Sequence, residues 1–322
     1  MNSALIGPLL LVLAQGPNPP GVRVDIGGGQ HLHVHCTGRG SPTVLLESGT
    51  GDISVIWSLV QPGVSQFARV CSYDRGGYAW SEPGAQPRTF AQLALELHTA
   101  LAKLKVGPPW VLVGQSYGGL VIRGFAREYR SEVGGVVFVD AVQEDQRVVY
   151  GGQPHRIRDS ARGRPFPAPR IALDTAMLAR ARGKPAEQVS DTLEAPLDRM
   201  PAEAQRLWKW ANAQPLLRLA QSSEIDWSPE ELARMHDERR ANRQSLGSIP
   251  VVVLARTSGG YDSGMSISAD SLEKERRFFM ADLARLSSRG RLEYAAHSGH
   301  NIHLEDPALV ISAIREVVTS HR

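Results

Sequence analysis

The chain has 322 residues, 42% hydrophobic and 21% charged, enough to bury a large core in one big domain or a domain with an insertion. Lys and Arg number 36 against 33 Asp and Glu, and the net charge of +3 over this length leaves no electrostatic footprint for nucleic acid. Two cysteines, Cys36 and Cys71, cannot form a disulfide scaffold, and their spacing is not that of paired metal ligands.

Ala4 to Ala14 (ALIGPLLLVLA) is a short apolar run, followed by the breaker-rich Gln15 to Gly21. A bilayer span takes about twenty residues, so the run is too short to cross one. It suits the apolar core of a secretory signal, with Val12-Leu13-Ala14 as a cleavage site. No Lys or Arg precedes it, so a disordered or loosely docked terminus over residues 1–20 is the alternative. No other segment is apolar over a membrane-spanning length.

From Val22 the chain alternates short apolar runs with helical patterns, which predicts βα units and a mainly parallel sheet. Val22 to Ile26 and His31 to Cys36, joined through Gly27-Gly28-Gly29, predict a starting hairpin. Thr43 to Leu46 and Phe67 to Tyr73 are the next strands, the second ending at Asp74-Arg75-Gly76-Gly77. Leucines 93, 97, 101 and 104 share one face of a helix from Thr89 to Leu104. Pro108-Pro109 breaks the chain before a strand at Trp110 to Val113, a helix from Leu120 to Tyr129 and a strand at Gly135 to Val139. Over 141–248 strand-like runs vanish, and helices are broken by prolines from Pro154 to Pro229. Pro250 to Leu254 restores a buried strand; a helix over 272–286, a strand over 291–296 and a helix over 307–318 close the chain. The predicted organisation is an α/β core over 21–140 and 249–322, a helical cap insertion over 141–248, and the separate N-terminal residues 1–20.

Gly114-Gln115-Ser116-Tyr117-Gly118 fits G-x-S-x-G between a strand and a helix. A bend this sharp strains the backbone at the serine and leaves no room for side chains at its glycines. It lifts the Ser116 hydroxyl above the sheet edge and points the Tyr117 N–H, at the start of a helix, where an oxyanion would develop. A tight strand–helix turn with an incidental serine is the bland alternative.

With that elbow, the chain resembles the α/β-hydrolase superfamily over residues 22–140 and 249–320. Thr43 to Gly51 (TVLLESGTG) resembles the family's strand and oxyanion loop, with Ser48-Gly49 where His-Gly is usual; the match makes the Thr50 N–H the second oxyanion donor. Tyr73 to Ser81 (YDRGGYAWS) resembles the D-x-R-G-x-G-x-S loop, and Ser298 to Pro307 (SGHNIHLEDP) the loop that delivers the catalytic histidine. The resemblance implies an eight-stranded, mostly parallel sheet with helices on both faces and an inserted cap. It also implies that the strands carrying Cys36 and Cys71 are neighbours, so that a disulfide between them is geometrically open and, if formed, favours export.

A serine hydroxyl needs a base to accept its proton. His300 is that candidate from chain order and its glycine-flanked loop, with His297 and His303 read as surface or structural. The acid that orients it is Asp140, at the rigid end of GVVFVD, or Asp262, in a long glycine-rich loop; rigidity favours Asp140. A capping or loop-anchoring carboxylate is the other reading of Asp140. Within the resemblance, epoxide hydrolases and haloalkane dehalogenases need an aspartate nucleophile, and position 116 is serine.

His31, His33 and His35 alternate on one strand and share a side. Without a carboxylate in the array they read as a solvated hairpin face rather than a metal site. Arg156 to Lys184 holds eight basic residues against two acidic, a solvated face in preference to an attractor of anionic substrates. Trp208, Trp210 and Trp227 line an acyl pocket or pin the cap. The expected activity is cleavage of a small-molecule carboxylic ester without metal or organic cofactor. A proline-releasing aminopeptidase with an acidic cap pocket and a non-catalytic binding protein on the same fold are the alternatives. Oligomeric state is not legible.

Overall fold

The computed structural model describes residues 16–261 and 265–320. The apolar run at 4–14 and the rival acid Asp262 lie outside the described residues.

The sheet contains β1 (Val22–Gly27), β2 (Gln30–Thr37), β3 (Thr43–Glu47), β4 (Val70–Tyr73), β5 (Trp110–Gln115), β6 (Val133–Val139), β9 (Val251–Arg256) and β10 (Gly290–Ala295). Their order is β1-β2-β4-β3-β5-β6-β9-β10. Pairing is antiparallel at β1–β2 and β2–β4 and parallel from β4 to β10. This is the eight-stranded, mostly parallel sheet that the resemblance implies.

The helices are α1 (Gln61–Val64), α2 (Phe90–Lys103), α3 (Gly118–Glu128), α4 (Thr175–Ala181), α5 (Ala202–Asn212), α6 (Pro215–Arg240), α7 (Ala269–Ala284), α8 (Ile302–Glu305) and α9 (Pro307–Ser320). They cover the sheet on both sides because its central strands are apolar on both faces. Trp110 and Leu112 pack with Leu97, Phe125 and Met280 of α2, α3 and α7. Val111 and Val113 point the other way, into a core with Val310, Ile314 and Val317 of α9. The leucine stripe does what its spacing predicts: Leu93, Leu97 and Leu101 are buried, and the Thr89 side chain caps α2 by accepting from the Gln92 N–H at 3.1 Å. Among the described residues no helix is long and apolar enough to cross a membrane.

Residues 141–248 add no strand to this sheet. They hold α4, α5 and α6 but also a hairpin absent from the sequence reading, β7 (Arg147–Tyr150) with β8 (Gln153–Arg156). Gly151 and Gly152, at φ 59° and 74°, make the two-residue turn with both central residues left-handed that favours such pairing. The period-2 signal failed here because four-residue strands are too short to show it.

Cys36 and Cys71 are register partners across β2 and β4 and form a disulfide. The bond closes a 35-residue separation, which by loop-closure entropy is worth roughly 3–4 kcal/mol. Replacing both cysteines with alanine should lower the unfolding free energy by that amount in a urea titration. An unchanged midpoint, with wild type equally indifferent to reductant, would contradict this.

Of the three alternating histidines, His33 departs from the expectation of a solvated face, while His31 and His35 are half-buried. His33 is fully buried. Its Nδ1 meets Asp74 Oδ2 at 2.7 Å and its Nε2 meets the Pro20 carbonyl at 2.5 Å. Burial disfavours the imidazolium, but Asp74 and the Pro20 carbonyl outweigh it and hold the His33 pKa above its ordinary value. The missing carboxylate was supplied from 41 residues away, which no local pattern reveals.

Candidate active site

Ser116 follows β5 and sits at φ +53°, the left-handed region that a non-glycine residue occupies only when the surroundings enforce it. Its N–H donates to the Val139 carbonyl, and its carbonyl accepts from the Gly119 and Val142 N–H groups, at 3.0–3.2 Å. The elbow glycines are sterically required. A Cβ at Gly114 would lie 2.6 Å from the Gly118 carbonyl oxygen, and one at Gly118 would lie 2.6 Å from that of Glu47. Among the described residues neither the Thr50 nor the Tyr117 N–H donates to a protein acceptor.

His300 is carried by the turn between β10 and α8. That turn is tied down where the Thr257 and Ser258 N–H groups donate to the Ser298 carbonyl at 3.1 and 2.9 Å. The His300 Nδ1–H donates to Asp140 Oδ2 at 2.8 Å. Its Nε2 lies 3.3 Å from the Gln115 Nε2, and no Ser116–His300 hydrogen bond is formed among the described contacts. Bonds of that kind often shorten once substrate is in place.

Asp140 ends β6 with its own left-handed φ of +40°, and its N–H donates to the Leu254 carbonyl at 2.8 Å. Its two oxygens face different donors. Oδ2 takes His300, while Oδ1 takes the Arg256 N–H at 3.1 Å and Arg276 Nη1 at 2.8 Å. Burial works against the charge of Asp140, but the His300 hydrogen bond and the charges of His300, Arg276 and Arg256 prevail and hold its pKa below the usual carboxylate value. The carboxylate therefore contributes stability above pH ~4 that is lost as pH falls through its lowered folded value. Arg276 has a legible signal in hindsight: it lies on the buried stripe of α7 with Leu272, Met280 and Leu283, where an arginine must have a partner.

Ser116 and His300 line the same two cavities. One, of about 360 Å³, also includes Asp140, Val142, Arg256 and Tyr261. The other, of about 400 Å³, includes Thr50, Asp52, Gln115, Glu194 and Trp208. Asp52, unnoticed in the sequence, accepts from Trp208 Nε1 at 3.1 Å; burial, the first influence on it, pushes its pKa up. The three tryptophans divide their work. Trp208 lines the second cavity, Trp210 packs on Trp80 at 5.1 Å, and Trp227 lies beneath the Arg164 guanidinium at 4.3 Å. None of the eight basic residues between Arg156 and Lys184 lines either cavity. His303 is buried against Trp57, and burial lowers its pKa to about 3.

Comparison with known proteins bears on the fold and the lineage. A protein from Gibberella zeae named AB hydrolase superfamily protein is 23% identical over 92% of this chain and 94% of its own length. A Hormonema carpetanum protein named "Probable transporter efuK" is 27% identical over 88% of this chain, which spans only 40% of that protein. Among solved structures, an esterase from Thermogutta terrifontis superposes with a TM-score of 0.59 at 20% identity, covering 93% of this chain and 98% of its own. A serine hydrolase of carbazole degradation gives 0.59 at 17% identity over 93% and 98%. The epoxide hydrolase CorEH gives 0.58 at 18% identity over 94% and 98%. The family model of the alpha/beta hydrolase fold matches residues 42–307, which includes the elbow, the Asp140 strand end and the His300 turn. The chain belongs to the α/β-hydrolase family.

Proposed function

We propose that the chain is a serine hydrolase that cleaves a carboxylic ester through an acyl-enzyme on Ser116. The observation that carries this reading is the constellation itself. A strained, half-buried elbow serine shares two cavities with an imidazole whose far nitrogen is held at 2.8 Å by a carboxylate. In this reading Asp140 keeps the proton on His300 Nδ1, so Nε2 is free to take the Ser116 proton and later return it to the leaving alcohol. The Thr50 and Tyr117 amides, without protein acceptors among the described residues, receive the oxyanion. Arg276 and the Arg256 backbone fix Asp140 from the side away from His300. Residues 141–248 act as a cap over the 21–140 and 249–322 core. Export to an oxidising compartment, with residues 1–20 as its signal, is part of the proposal and is supported by the Cys36–Cys71 bond.

Asp52 and Glu194 in the second cavity favour one competing reading, a proline-releasing aminopeptidase that holds a substrate ammonium there. A panel of p-nitrophenyl acyl esters, lactones and prolyl amides separates the two. Ester cleavage predicts kcat/KM at least tenfold higher on the best ester than on any prolyl amide. The reverse ratio would give the site to the aminopeptidase, and inactivity on the whole panel would leave a binding protein.

A further inference from the structure

The loop that carries Thr50 is held from below by a buried arginine. Arg75 follows β4, where the sequence resembles the family's D-x-R-G loop, and its side chain is almost wholly inaccessible. Nη1 donates to the Ser48 carbonyl at 2.8 Å and Nη2 to the Gly49 carbonyl at 3.0 Å. Two acids grip the guanidinium. Glu47 at the end of β3 takes Nη1 at 2.6 Å, and Glu224 on α6 takes Nε at 3.0 and 3.2 Å. The Tyr78 hydroxyl donates to Glu224 at 2.8 Å, the Tyr73 hydroxyl donates to Glu47, and the guanidinium lies 4.6 Å from the Tyr78 ring centre.

Burying three charges is costly, and an apolar filling could stabilise the fold as well. What an apolar filling could not do follows from peptide geometry. The Gly49 carbonyl and the Thr50 N–H belong to one planar peptide unit, in which C=O and N–H point in opposite directions. A cation fixed on the carbonyl therefore sets the direction of the N–H and polarises it towards a stronger donor. Oxyanion stabilisation depends on such dipoles being oriented before the charge develops.

We infer that Arg75 is a positioning residue for the oxyanion hole, aiming the Thr50 amide through the Gly49 carbonyl, and that Glu224 couples helix α6 to that amide through the same guanidinium. This rests on the ester-hydrolase reading of the site. Lysine at 75 keeps the charge but not the fork that reaches two carbonyls and two carboxylates. Gln at 224 keeps an acceptor of similar shape but removes the charge.

The test uses Arg75→Lys and Glu224→Gln in the full chain, with active sites counted by a fluorophosphonate. Three quantities are measured: kcat and KM on a p-nitrophenyl ester, and the inhibition constant of an aryl trifluoromethyl ketone, whose serine adduct carries an oxyanion. Arg75→Lys should lower kcat per titrated site about 10- to 100-fold with KM within threefold, somewhat less than deleting an oxyanion donor outright. The ketone should weaken by the same factor as kcat/KM. Glu224→Gln should show a smaller loss, about 3- to 10-fold, with the same pattern, and it carries the test should Arg75→Lys not fold. Unchanged kcat and ketone affinity per titrated site, with only the number of sites reduced, would overturn the inference by making the network purely structural. A wild type that neither titrates nor cleaves esters would instead overturn the functional reading and this inference with it.

Discussion

Ser116→Ala is expected to lower kcat on the best p-nitrophenyl ester by about 10⁶, a loss of roughly 8 kcal/mol of transition-state stabilisation. The reason is that no group can replace that hydroxyl where it stands. The elbow places residue 116 in the lining of both cavities, and its backbone is held by Val139, Gly119 and Val142 rather than by its side chain. Alanine therefore keeps the bend and removes only the proposed nucleophile. Because such groups act as a unit, His300→Ala in the same background should cost little more. A variant that keeps a tenth of wild-type turnover would mean that the chemistry runs elsewhere.

Asp140→Asn should cost about 10⁴ in kcat with little change in KM. The two oxygens of Asp140 serve different donors, and asparagine has one oxygen to offer. Two donors, Arg276 Nη1 and the Arg256 N–H, compete for it on the Oδ1 side against one from His300. The amide oxygen turns to the arginine side, and its NH₂ group faces His300 Nδ1. That geometry forces the His300 proton onto Nε2, the tautomer that cannot accept a proton from Ser116. Asp262→Asn should leave kcat within about threefold. A larger loss at 262 than at 140 would transfer the orienting role to the loop. Since the Asp140 pKa is held low, the acid limb of kcat/KM is not set by this carboxyl.

Much of the fold was legible because its central strands and helices obey simple periods. The runs at 110–113 and 135–139 and the leucine stripe from 93 became β5, β6 and α2 with boundaries shifted by a few residues. The elbow was legible because its glycines answer a local steric demand. What stayed hidden depends on partners distant in sequence. Asp74 reaches His33 across 41 positions, Glu224 reaches Arg75 across 149, and Arg276 reaches Asp140 across 136. Each pairs with a charged partner that only the tertiary fold brings to it. Asp52 is silent in the sequence because nothing in its neighbours marks it, and only the packing of Trp208 brings it beside the cavity.

The most direct test of the covalent step is an acid quench of the enzyme with a slowly deacylating aryl ester, followed by peptide mass mapping. The account predicts one acyl group per chain, on the peptide containing Ser116, formed in a burst of p-nitrophenol equal to the enzyme concentration. Ester turnover with an adduct on another residue, or with no adduct and no burst at any quench time, would contradict it.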